Sequence, residues 1–181
     1  MKRREFLKLG AACSAVSLFP VHGFAAPYRA ATVLVERGRP ESEAFAAALP
    51  ARDVVYIGSG LSEIVSYLSS EKPALLIGLT TDPAAMIVEQ LMREQGAKRL
   101  YQGLHRYHHN AVMHEMTGST AALLRTIPVV QAGGGIWAAE LGRQMSAIPL
   151  SGEACNRRCV TTRVSLPRKG PGYFVSWAWR A

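Results

Sequence analysis

Between residues 31 and 96 the chain alternates short continuous apolar runs with stretches of helical periodicity. Ala31 to Val35, Val54 to Ile57 and Ala74 to Ile77 read as strands. Glu41 to Leu49, Leu61 to Leu68 and Pro83 to Gln95 read as helices. The last of these has the clearest ends: Asp82 is placed to cap, Pro83 suits the first helical position, and Gly96 suits the left-handed residue that closes a helix. Met86, Ile87, Leu91 and Met92 form its expected core stripe. Unbroken apolar strands separated by helices predict an α/β fold, a mainly parallel sheet with helices on both faces.

After Gly96 the pattern becomes strand-like on both sides of His109-Asn110, from Arg99 to His108 and from Ala111 to Thr117. This predicts a hairpin in which Asn110 tolerates the left-handed conformation. Residues paired across it sum to 219, so His105 faces His114. Short helices are expected over Ser119 to Arg125 and Ile136 to Met145. A second hairpin is expected from Val160 to Leu166 and Tyr173 to Trp179, with Trp177 and Trp179 on one face. Antiparallel hairpins thus extend the sheet.

The start of the chain has a different character. Met1-Lys2-Arg3-Arg4-Glu5-Phe6-Leu7-Lys8 leads into a moderately apolar stretch from Leu9 to Ala26, and Gly23-Phe24-Ala25 places small residues where a signal peptidase needs them. The string Arg3-Arg4-Glu5-Phe6-Leu7-Lys8 closely resembles the twin-arginine export signal of bacteria. That resemblance implies a signal peptide over residues 1–25, cleaved after Ala25, a single domain over 26–181 and a periplasmic location. It also implies the twin-arginine translocase as a transient partner. That route carries folded chains, and its substrates often hold a cofactor or travel with a folded partner. The other reading of the segment is an uncleaved anchor, which would be the chain's one membrane contact.

Removing residues 1–25 lowers the formal charge from +8 to +5, because four cations and one anion leave. The charge is concentrated late: after Glu153 there is no acidic residue, while Arg157, Arg158, Arg163, Arg168, Lys169 and Arg180 follow. Such a tail suits an acidic partner protein or redox enzyme, an anionic lipid surface or an anionic ligand. An exported chain does not meet nucleic acid. Cys155 and Cys159, the two cysteines beyond the signal, are expected to pair in an oxidising compartment.

Two constellations carry candidate chemistry. His105, His108, His109 and His114 fall within ten residues. Cross-strand imidazoles at His105 and His114, with His108 or the thioether of Met116, would suit copper, zinc or haem iron. No C-x2-C-H haem attachment or H-E-x2-H zinc helix accompanies them. The loops Gly58-Ser59-Gly60 and Thr80-Thr81-Asp82 stand where an open α/β sheet binds anions, which nominates Ser59, Gly60, Thr80 and Thr81. Gly133-Gly134-Gly135 lacks the Lys-Ser/Thr of a nucleotide loop, and no G-x-S-x-G is present.

These features together support an exported accessory or ligand-binding protein of a redox or metal-dependent system. The alternatives are a small metal- or haem-binding protein built on the hairpin, and an enzyme acting on an anionic small molecule at the βα loops. The export signal gives the first test. Replacing Arg3 and Arg4 by lysine should leave the full-length chain in the cytoplasm, read by fractionation, whereas normal export would refute the twin-arginine reading.

Overall fold

The computed structural model describes residues 31–50, 53–58, 60–146, 156–163 and 172–181. The expected signal segment, Ser59 and Cys155 lie outside these residues. Seven strands form one sheet: β1 (Thr32–Glu36), β2 (Asp53–Ile57), β3 (Leu75–Thr81), β4 (Lys98–His108), β5 (Ala111–Gly118), β6 (Asn156–Arg163) and β7 (Tyr173–Arg180). The helices are α1 (Pro40–Ala47), α2 (Leu61–Ser70), α3 (Asp82–Glu94), α4 (Thr120–Ala132) and α5 (Trp137–Met145). Among the described residues no helix is long and apolar enough to cross a membrane.

The strand order is β2-β1-β3-β7-β4-β5-β6. The first half follows the expected βαβαβα pattern, with β1 pairing in parallel with both β2 and β3. The other four pairings, β3–β7, β7–β4, β4–β5 and β5–β6, are antiparallel. The fold is therefore α/β with a mixed, mostly antiparallel sheet, which corrects the mainly parallel expectation.

The cause is β7. The expected closing hairpin of β6 and β7 does not form; β7 enters the centre of the sheet between β3 and β4, while β6 goes to the edge beside β5. Phe174 to Trp179 are buried without interruption, so this strand needs cover on both faces. β6 is mostly exposed and polar, and an edge suits it.

Alternation along the central strands sorts side chains into two cores. Val33, Val35, Ile77, Leu79, Phe174 and Ala178 face α1, α4 and α5. Leu34, Leu76, Val175, Trp177 and Trp179 face α2 and α3. In α3 the buried stripe is Ala84, Ala85, Val88 and Met92, and Met86 is 64% exposed, so the apolar face lies one step round from the expected one. The N-cap is Thr81 instead of Asp82, whereas Gly96 takes the expected left-handed conformation with φ 75°.

Close approaches fix how the layers meet. A Cβ on Gly78 would lie 2.4 Å from the Trp177 ring, so the indole packs this closely against β3 only because that residue is glycine. In α5 a Cβ on Gly142 would lie 2.2 Å from the carbonyl oxygen of Phe45. Alanine favours an isolated helix over glycine by about 1 kcal/mol, but here the backbone contact opposes it. Gly142→Ala should therefore destabilise the protein by about 2–3 kcal/mol through overpacking. Gly135→Ala, with nothing within 4 Å of the added carbon, should change stability by less than ~0.5 kcal/mol, both variants being read by urea titration.

Candidate functional site

The βα loops are already furnished from within the chain. Glu36, at the end of β1 and 5% exposed, accepts the Thr81 amide N–H at 2.8 Å and the Thr81 hydroxyl at 3.2 Å, and it pairs with Arg39 Nε at 3.1 Å. Glu63 accepts the Gly58 N–H at 2.7 Å, and Glu43 accepts that of Gly38 at 3.0 Å. Thr80 is buried on the other side of β3 and accepts the Trp177 indole N–H at 3.3 Å. Gly60 is the N-cap residue of α2 without a side-chain cap. Carboxylates of the protein thus hold the amides of Gly58 and Thr81 that an anion would use.

The hairpin is built in the expected register, with His105 opposite His114. Its turn differs in one respect: the left-handed residue is His109, at φ 52°. Strand alternation then divides the histidines. His105 and His114 point into the core beneath α5, both fully buried, and Met116 is buried on their side. His108 is exposed on the other face. The structure therefore brings His105 and His114 together, places Met116 on the same face, and leaves His108 apart.

The buried imidazoles meet through Nδ1 atoms 2.7 Å apart, and His105 Nε2 lies 2.7 Å from Ser176 Oγ on β7. A Nδ1 pair at this spacing is a hydrogen bond, one ring donating and the other accepting. Two nitrogens sharing a tetrahedral ion at the usual ~2.0–2.1 Å each would stand roughly 3.3 Å apart. Among the described residues no group of three or more His, Cys, Asp or Glu is placed to hold a metal ion.

Tyr101 extends the buried polar row, its hydroxyl near Ser176 and Thr126 but without a well-formed hydrogen bond. At the other end His114 Nε2 is buried with no partner among the described residues. Trp137 roofs the pair, its ring centroid 4.6 Å from His105 and 5.0 Å from His114. Its indole N–H donates to Tyr107 Oη at 3.0 Å, and the Tyr107 hydroxyl donates to Glu41 at 2.9 Å. Gly103 makes the row possible, since a Cβ there would lie 2.5 Å from Ser176 Oγ and 2.9 Å from His105 Nε2.

A serine hydroxyl against an imidazole is the arrangement that activates a nucleophile. Ser176 is fully buried, however, and what its contact does here is join β7, β4 and β5 by polar bonds inside an apolar core. Ser176, Trp137, Gly103 and Tyr101 were not nominated from sequence. Two signals point to them in retrospect: a lone serine inside an apolar strand needs a buried partner, and a glycine inside a strand marks a close approach.

Cys159 stands exposed on β6 and forms no disulfide among the described residues. Its expected partner Cys155 lies outside the described residues, and the extended run from Asn156 to Cys159 is the opposite of the tight turn that a bond between residues four apart would need.

Burial, and then the neighbouring His114, hold His105 well below the ordinary histidine value; burial lowers His114 to about 4. The folded protein therefore refuses protons that the unfolded chain accepts below pH ~6.5. The contribution is complete above that pH and is lost as pH falls from ~6.5 through about 4. Denaturant unfolding should show a loss of roughly 3 kcal/mol from His114 across this window. A His105→Phe/His114→Leu variant should lose that slope, and an unchanged slope would show that the pair is not its source. In comparisons with known proteins, no family model, no curated protein and no solved structure matches this chain.

Proposed function

We propose that the chain is an exported accessory protein of a redox or metal-dependent system that acts by recognising an acidic partner. The observation carrying this reading is the sheet face of β4, β5 and β6 on the side of α2 and α3. There Arg106, Met113 and Thr161 form an exposed row across the three strands, with Arg163 and Arg157 on the same side of β6. Glu115 is the one carboxylate among them and is ion-paired with Arg157. The face is thus cationic on balance, and β6 ends the sheet.

The other two readings have less geometric support. A small anionic substrate at the βα loops would compete with Glu36 and Glu63 for the same amides. A metal between His105 and His114 would require the Nδ1 atoms to separate from hydrogen-bonding distance.

Photo-crosslinking in cells tests the proposal. A crosslinker at Thr161 should trap a discrete acidic protein, while one at Leu124, 71% exposed on α4, should not. Arg106→Glu/Arg163→Glu should reduce the Thr161 adduct at least several-fold with the melting temperature unchanged. The proposal fails if both positions trap the same proteins or if charge reversal leaves the adduct intact.

A further inference from the structure

The tip of the hairpin carries a second group of ligating side chains, separate from the buried pair. His108, His109, Asn110, Ala111, Met113 and Thr161 line a cavity of about 250 Å³ on the exposed side of the sheet. The rings of His108 and His109 are 4.4 Å apart at centroid, tilted by 32°. Met113 is 41% exposed and stands diagonally across from His108, whose direct partner is Ala111. Long side chains on such a diagonal reach one another.

We propose that His108, His109 and Met113 form a surface site for a soft monovalent metal ion, copper(I) in chemical class. The donor set is two imidazoles and a thioether, which favours soft ions over calcium, magnesium or manganese. No carboxylate lines the cavity, and the thioether is the donor that selects a soft ion such as copper(I). The nearby guanidinium of Arg106 is drawn toward β7, 5.4 Å over the Tyr173 ring, which leaves Met113 accessible.

The backbone supplies an independent observation. His109 occupies φ 52° in the turn, where glycine would be unstrained. A histidine held there carries a conformational cost that a ligand-binding role would explain. The site goes beyond the partner-recognition reading and does not depend on it, since metal uptake is measured on the purified protein alone.

Silver(I), a redox-inert stand-in, is titrated into protein carrying ¹³C-methyl methionine, with cysteines replaced by serine so that thiols do not compete. The Met113 methyl resonance should shift and saturate at one equivalent. Exposed Met86 and buried Met116 and Met145 should not move, and an equal dose of zinc(II) should not displace the silver. His108→Ala and Met113→Leu should each weaken binding at least tenfold. His109→Gly should also weaken binding at least tenfold while leaving the protein as stable or more so, which separates a ligand from a structural turn residue. The same series with copper(I) against a chromophoric chelator should fall from one bound ion to none. An unmoved Met113 methyl at one equivalent of silver overturns the proposal, as does uptake that survives His108→Ala/His109→Gly/Met113→Leu.

Discussion

Ser176 lies on the central strand β7 with apolar neighbours on both sides, and its burial forces much of the remaining arrangement. Strand β7 is covered on one face by α2 and α3 and on the other by the layer containing α1, α4 and α5. A hydroxyl in that position loses its water and costs stability unless it is hydrogen-bonded. His105 supplies the bond, Gly103 makes room for it, and His114 satisfies the second nitrogen of His105. One polar requirement in the middle of the sheet thus runs outward through β4 into β5. It also constrains register, since a one-residue slip of β4 against β5 or β7 would turn the imidazoles to the other face.

The polar row is tolerated because it is neutral. A protonated imidazole beneath Trp137 would be a buried charge without a carboxylate in contact; the carboxylate at this end of the core, Glu41, is reached through the Trp137 indole and the Tyr107 hydroxyl. Burial lowers both histidines and pushes Tyr101 upward, so each group is held in its uncharged form. The carboxylate Glu36, by contrast, stays near a βα loop where an arginine and a backbone amide meet it. In the buried interior, the charge of Glu36 sits at the end of β1, and neutral hydrogen bonds occupy the middle of β4, β5 and β7.

Which parts of this were legible in the sequence follows from the range over which each is decided. The elements of the βαβαβα half and the hairpin are written in periodicity within windows of about 11–18 residues, and the pairing of His105 with His114 follows from the position of the turn. The place of β7 depends on competition among all strands. Proximity favoured β6 as its partner, whereas the apolar run Phe174 to Trp179, broken only by Ser176, demanded a site covered on both faces. The polar site was half legible for the same reason: His105 and His114 lie nine residues apart, while Ser176 is seventy-one residues from His105. The βα loops looked open because Glu36 and Thr81, forty-five residues apart, meet only in the folded sheet.

Two pairs of histidines, so close in sequence, therefore have opposed chemistry. In the buried pair each imidazole spends a nitrogen on its partner, and the surrounding apolar atoms penalise any charge. His108 and His109 stand outside the core, beside a thioether that the same alternation turns outward. An ion bound there would meet neutral donors at a surface accessible to another protein, on the side of the sheet that carries Arg106 and Arg163. The cationic face and the proposed metal site are then neighbours, and an acidic partner docking across β4, β5 and β6 would lie beside the ion. That proximity gives a physical route by which recognition and metal handling would be coupled. A bound cation would add to the positive charge that Arg106 and Arg163 present, so ligation and the docking of an acidic partner would favour one another through charge.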